Sequence, residues 1–249
     1  MRCRCWCSAA LVGAVLTGCG GSAARDPFAY DHTKPLAERT GAVVVSGKNL
    51  VGRAVSYVGA GGARVNGFLL VPQSGGRHPA VLFLHGSGGN RQDLLVPAAE
   101  LALRGAVTMT ISQPNDAQTF RPLVVNARRA FDLLVARSDV DSRRLGLVGY
   151  SLGAQTAAIL AGDDPELRAI GIVAGRGSPI PLHWVRRADA PLFFQAGTRD
   201  VVVPHAQLEA LIRTAPDHPR VRWYDTGHGM SRRSFEDMVS WQAGRLGLR

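Results

Sequence analysis

Five short apolar runs, Ala80–Leu84, Ala106–Thr110, Leu145–Gly149, Ala169–Val173 and Pro191–Ala196, recur along this chain with helix-like stretches between them. Strands buried on both faces read this way, whereas a sheet wetted on one side alternates apolar with polar residues. The intervening stretches carry helical spacing: Leu94, Leu95, Ala98, Leu101 and Ala102 form one face, and Gly105 follows as a stop signal. Further helices are predicted over Pro122–Arg137, Leu152–Ala161, Pro204–Thr214 and Arg232–Leu246. Arg53–Val58 and Val65–Val71 flank the Gly59–Gly62 cluster as an antiparallel hairpin, and the more polar Arg220–Tyr224 suits a sheet edge. This alternation predicts an α/β fold: a mostly parallel sheet of about eight strands with helices on both faces. At 249 residues and 46% hydrophobic, the chain can fill one large core, and residues 41–249 read as a single domain without internal repeats.

The four cysteines, Cys3, Cys5, Cys7 and Cys19, all precede that domain, so its fold rests on packing, and no cysteine there can act as nucleophile or metal ligand. Residues 1–18 combine the basic Arg2 and Arg4 with a short apolar segment, Ala9–Thr17, the layout of a secretory signal. No apolar run reaches the ~18–20 residues of a spanning helix. Leu16-Thr17-Gly18-Cys19 resembles the lipobox of bacterial lipoproteins, which implies a lipid on Cys19 and attachment to a membrane surface outside the cytoplasm. Residues 19–40 then read as a flexible tether. The net charge of +10 comes from scattered arginine pairs such as Arg128-Arg129 and Arg232-Arg233, with no interleaved aromatics. That pattern predicts solvated faces and no nucleic-acid partner.

Gly149-Tyr150-Ser151-Leu152-Gly153 matches G-x-S-x-G, a string that composition alone produces in roughly one such chain in five. Its context adds meaning, because a buried-strand run precedes it and a buried-helix run follows. A serine on so sharp a turn presents its hydroxyl above the sheet, and flanking glycines leave room for that approach. His85-Gly86-Ser87-Gly88-Gly89-Asn90 follows another buried strand at once. Backbone amides there suit a developing oxyanion: Ser87 is the expected donor, Gly88 the fallback, and Leu152 the second donor. His85 reads as a structural residue that ties down this loop.

A serine nucleophile needs a base and a group to orient it. Of the seven histidines, His228 alone lies in a glycine-flanked loop between the last strand and last helix, Thr226-Gly227-His228-Gly229-Met230. His78 and His218 are expected at the surface, and His205 at a helix start. Asp200 ends the loop Gly197-Thr198-Arg199-Asp200 after a buried strand; Asp225, three residues before His228, is the alternative acid. Ser151, Asp200 and His228 are thus the candidate catalytic residues, and Tyr150, Ser112, His183 and Trp184 are candidates for the pocket wall. No metal cluster and no nucleotide-binding loop stand out, so no cofactor is expected.

In order along the chain, HGSGGN, GYSLG, AGTRDVVVP and TGHGM make it similar to the α/β-hydrolase superfamily, and within it to dienelactone-hydrolase-like and prolyl-oligopeptidase-type catalytic domains. The resemblance implies the α/β-hydrolase fold with little or no lid, and cleavage of a small-molecule carboxylic ester through an acyl-enzyme. Dienelactone hydrolases proper carry cysteine where this chain has Ser151. A non-catalytic envelope protein that keeps the fold for binding, or a peptidase or acyltransferase with the same triad, are the other functions such a chain supports.

Overall fold

The computed structural model describes residues 26–216, 218–229 and 231–248. The expected signal segment and Cys19 lie outside the described residues. Nine strands form one sheet: β1 (Arg39–Gly47), β2 (Leu50–Val58), β3 (Arg64–Pro72), β4 (His78–Leu84), β5 (Val107–Ile111), β6 (Val140–Tyr150), β7 (Leu167–Val173), β8 (Leu192–Gly197) and β9 (Arg220–Tyr224), in the order β1-β2-β3-β5-β4-β6-β7-β8-β9. Strands β1, β2 and β3 pair antiparallel with their neighbours, and β5, β4, β6, β7, β8 and β9 run parallel. Every residue of β4, β5 and β8 is buried, which is why each is dominated by apolar residues rather than alternating with polar ones.

Among the described residues six α-helices cover the sheet: α1 (Leu95–Leu103), α2 (Phe120–Val135), α3 (Leu152–Ala161), α4 (Pro179–Val185), α5 (His205–Thr214) and α6 (Arg232–Arg245). One core layer holds side chains of α2, α3, α4 and α5, such as Phe131, Ala157, Val185 and Leu208. The other holds those of α1 and α6, such as Leu101, Met238 and Trp241. Two faces of cover around a parallel sheet are the arrangement the alternating pattern predicted. Leu84 pairs with Gly149 and Tyr150 with Val173, so the carboxyl ends of β4, β6 and β7 form one rim. Sites in open α/β sheets gather along such a rim.

Three features depart from the sequence reading. Strand β1 was not predicted, and it makes the sheet nine-stranded rather than about eight; it is an edge strand exposed along nearly its whole length, so no alternation marks it. Helix α4 was not among the helices expected. The described part of the expected tether, residues 26–40, also differs. Phe28 is buried with its ring 5.5 Å from that of Trp184, Tyr30 Oη donates to Asp132 at 2.8 Å, and Arg128 pairs with Asp26 at 2.9 Å. Two isolated aromatic residues carry no periodicity to read, yet each finds a seat on the body.

Candidate active site

Ser151 stands between β6 and α3 with φ 53° and ψ −108°, a backbone conformation that non-glycine residues seldom adopt. Its amide donates to Val173 O at 2.9 Å, which pins the turn against β7. The two motif glycines are sterically required. A Cβ on Gly149 would overlap the Gly153 carbonyl, and one on Gly153 would overlap the carbonyl oxygen of Leu84. Side chains at either position would push α3 off the strands that hold the serine.

The rim brings the three expected residues together. His228 Nε2 lies 3.0 Å from Ser151 Oγ, and His228 Nδ1 lies 2.8 Å from Asp200 Oδ2. The other carboxylate oxygen of Asp200 accepts the amides of Val202 at 2.8 Å and Val203 at 2.9 Å. Burial raises the Asp200 pKa, but the Val203 amide, the His228 ring and the Val202 amide outweigh it and leave the carboxyl below its ordinary range. Asp200 is therefore ionised at neutral pH and can only accept, so Nδ1 of His228 carries the proton and Nε2 is left free for the serine hydroxyl. Asp225, the alternative candidate, is exposed and pairs instead with Arg199 at 2.9 Å.

Tyr150 braces His228. Its ring centroid is 5.3 Å from that of His228, and its hydroxyl donates to His228 O at 3.0 Å. Burial, then the negative charges of Asp200 and Asp93, raise its pKa and keep it a neutral donor.

The glycine-rich loop after β4 passes close to the serine: a Cβ on Gly86 would sit 3.0 Å from Ser151 Cβ. Gln113 N donates to His85 Nε2 at 2.8 Å, so the ring proton is on Nδ1 and is given to Gly86 O at 2.6 Å. The Gly86–Ser87 peptide is trans, so fixing its carbonyl toward His85 turns the Ser87 amide the opposite way. Gly88, the fallback donor, is already committed to Asn115 Oδ1 at 2.9 Å. The amides of Ser87 and Leu152 have no partner among the described residues. His85 has both ring nitrogens occupied and is a positioning residue. Asn115, which accepts from Gly88 and donates to Gly89 O at 3.1 Å, was not anticipated; it is an ordinary loop residue whose role depends on a contact across 26 positions.

Other histidines and wall candidates fall elsewhere. His78 is buried, not exposed as expected, and its ring nitrogens face Gly105 O at 2.9 Å and Ser74 O at 3.0 Å. His218 is exposed, and His205 begins α5. His183 is exposed and touches Arg186, while Trp184 packs on Phe28 beside Gly162, the residue that ends α3 opposite Ser151. Neither belongs to the site. Ser112 accepts from the Arg91 amide at 3.2 Å and so steadies the segment after the glycine-rich loop.

The sheet order, the serine turn and the Asp200 and His228 loops after successive strands are those of an α/β-hydrolase fold. The sequence profile of the dienelactone hydrolase family matches residues 65–244, and the chain belongs to that family and is a hydrolase. An uncharacterized protein of Mycobacterium tuberculosis, Rv2307c, is 29% identical over 196 residues, covering 68% of this chain and 69% of the relative. Among solved structures, an acetyl xylan esterase from Paenibacillus sp. R4 superposes with a TM-score of 0.74 at 19% identity, covering 86% of this chain and 90% of the other. A cold-adapted esterase from an Arctic intertidal metagenomic library gives 0.72 at 16% identity, covering 81% and 97%.

Proposed function

We propose that the protein is a serine esterase acting on small carboxylic esters, with Ser151 as nucleophile, His228 as general base and acid, and Asp200 as the group that orients and balances the imidazole. The single observation that carries this reading is the continuous hydrogen-bonded chain from Ser151 Oγ through His228 to Asp200 Oδ2, on a serine held at positive φ. In the first step His228 Nε2 takes the hydroxyl proton as Oγ attacks the ester carbonyl, and the resulting oxyanion lies toward the Ser87 and Leu152 amides. His228 then gives that proton to the departing alkoxide. Water, deprotonated by the same nitrogen, releases the acid and restores Ser151.

A fluorophosphonate probe is expected to modify one residue, Ser151, located by peptide mass spectrometry. A panel of nitrophenyl esters of rising chain length should show turnover that favours short acyl groups. Parallel incubation with peptides and with alcohol acceptors separates esterase from peptidase and transferase action by the product formed. An unlabelled, natively folded protein would reject the enzyme reading in favour of a binding role.

The same proposal extends to location. The basic and apolar residues 1–18 followed by Cys19 support export and lipid attachment outside the cytoplasm. Metabolic incorporation of a labelled fatty acid, lost in Cys19→Ala, checks it.

The loop geometry gives a further expected result. His85→Ala should lower kcat by about 10–100-fold with little change in KM, since removal of a whole oxyanion donor costs about 10²–10³. Fluorophosphonate labelling should slow in step with kcat. A fall in KM alone, or an unchanged rate, would show that the Ser87 amide does not depend on His85.

A further inference from the structure

A cavity of about 350 Å³, open to solvent, lies where the chain segment at Tyr30–Lys34 crosses α2 beside the Gly59–Gly62 turn. Its wall includes Arg121, Val125 and Arg129, which follow one another at four-residue steps and so share one stripe of the helix. The cavity adjoins the end of β2, four places from β6 in the sheet order, on the order of 20 Å from Ser151 at ordinary strand spacing. Nothing in the ester chemistry uses it.

Arg129 is only 4% exposed, and no carboxylate among the described residues lies within 4.0 Å of its guanidinium. It donates instead to three backbone carbonyls, those of Val58, Lys34 and Pro35. Carbonyl dipoles satisfy N–H groups, but they do not cancel a whole charge, and a buried unbalanced cation is costly. Arg121, which is exposed, also donates to backbone carbonyls, those of Pro27 and Ala29, and no carboxylate among the described residues lies within 4.0 Å of its guanidinium. Lys34 adds a third positive charge to the wall. Asp31 is the one acid there; its carboxylate already accepts from the Thr33 amide at 3.0 Å and hydroxyl at 2.6 Å. The Gly61 amide has no partner among the described residues.

We propose that this cavity binds a phosphomonoester group, held by Lys34, Arg121, Arg129 and the Gly61 amide. Three positive charges against one negative leave a net charge that matches a doubly charged tetrahedral oxyanion, and guanidinium forks suit its geometry. The volume exceeds that of the bare ion and leaves space for a small organic group against Val125 and Tyr30. The site is separate from the proposed esterase centre and does not depend on it.

The test uses the full chain carrying Cys19→Ala, so that no lipid is attached. Titration with inorganic phosphate at constant ionic strength, by calorimetry and by thermal melting, should show saturable binding of one phosphate per chain and a raised Tm that chloride does not reproduce. Lys34→Glu and Arg121→Gln should each weaken binding about tenfold or more, while circular dichroism stays native. Ester hydrolysis of Lys34→Glu should stay at the wild-type rate, which separates failure here from failure of the esterase reading. Flotation with phosphatidic acid vesicles, against phosphatidylcholine alone, identifies the source. Capture that free phosphate competes away assigns a lipid headgroup, and phosphate binding without capture assigns a soluble ester. Absence of saturable binding in both arms, or affinity unchanged in both variants, would overturn the proposal.

Discussion

Replacing Ser151 with alanine is expected to lower kcat for a short-chain nitrophenyl ester by about 10⁴–10⁶-fold, with circular dichroism and Tm close to wild type. The size follows from the division of labour. His228 and Asp200 act on the substrate only through the serine oxygen, so losing that atom disables the hydrogen-bonded chain as a unit. What remains is binding and the oxyanion amides, which in related acyl-transfer chemistry retain about 10³–10⁴ over water. Stability should change little or rise slightly, because a residue at φ 53° is strained and serine gains nothing there that alanine lacks except the His228 contact. Adding His228→Ala to Ser151→Ala should cause no comparable further loss. An additive second drop, or a Ser151→Ala enzyme within tenfold of wild type, would mean that another group attacks the ester.

The second large effect is on the scaffold. Gly153→Ala is expected to destabilise the fold by about 3 kcal/mol or more, the upper end for overpacking against atoms that cannot move aside. The new methyl would overlap the Leu84 carbonyl oxygen and sit 2.7 Å from that of His85, and both are backbone atoms in the central strands' rim. For a domain of this size that corresponds to a fall in Tm of about 6–12 °C, read by thermal unfolding. The His85 carbonyl also accepts the Gly153 amide at 3.1 Å, so the same displacement loosens the base of the glycine-rich loop. Activity at a temperature where the variant is still folded should therefore fall too. Gly229→Ala makes a control, since a Cβ there meets nothing within 4 Å. Equal stability of the two variants would show that the overlap at Gly153 is relieved without cost.

The buried strands were legible because burial on both faces leaves a composition signal that survives without any knowledge of neighbours. β4, β5 and β8 each appear as apolar runs, and α3 is framed to the residue by the serine turn before it and Gly162 after it. Strand β1 was missed for the converse reason, since its residues are nearly all exposed and its pairing with β2 is interrupted by shifts in register. The seat of residues 26–38 was missed because it depends on single anchors, Phe28 and Tyr30, whose partners lie about a hundred or more positions away. His78 was misplaced at the surface because adjacency to proline says nothing of the carbonyls of Ser74 and Gly105 that receive its ring nitrogens.

By itself the sequence determined the α/β architecture and the serine turn, and it named Ser151, Asp200 and His228 as candidates, since strand ends, glycines and loop order are local properties of the chain. Only the tertiary structure decided that Asp200 rather than Asp225 faces His228, that Ser87 rather than Gly88 keeps a free amide, and that Arg129 is buried without a carboxylate. Each of these depends on which groups meet across the sheet, and hydrogen bonds and charge balance between distant residues leave no mark in the order of the amino acids.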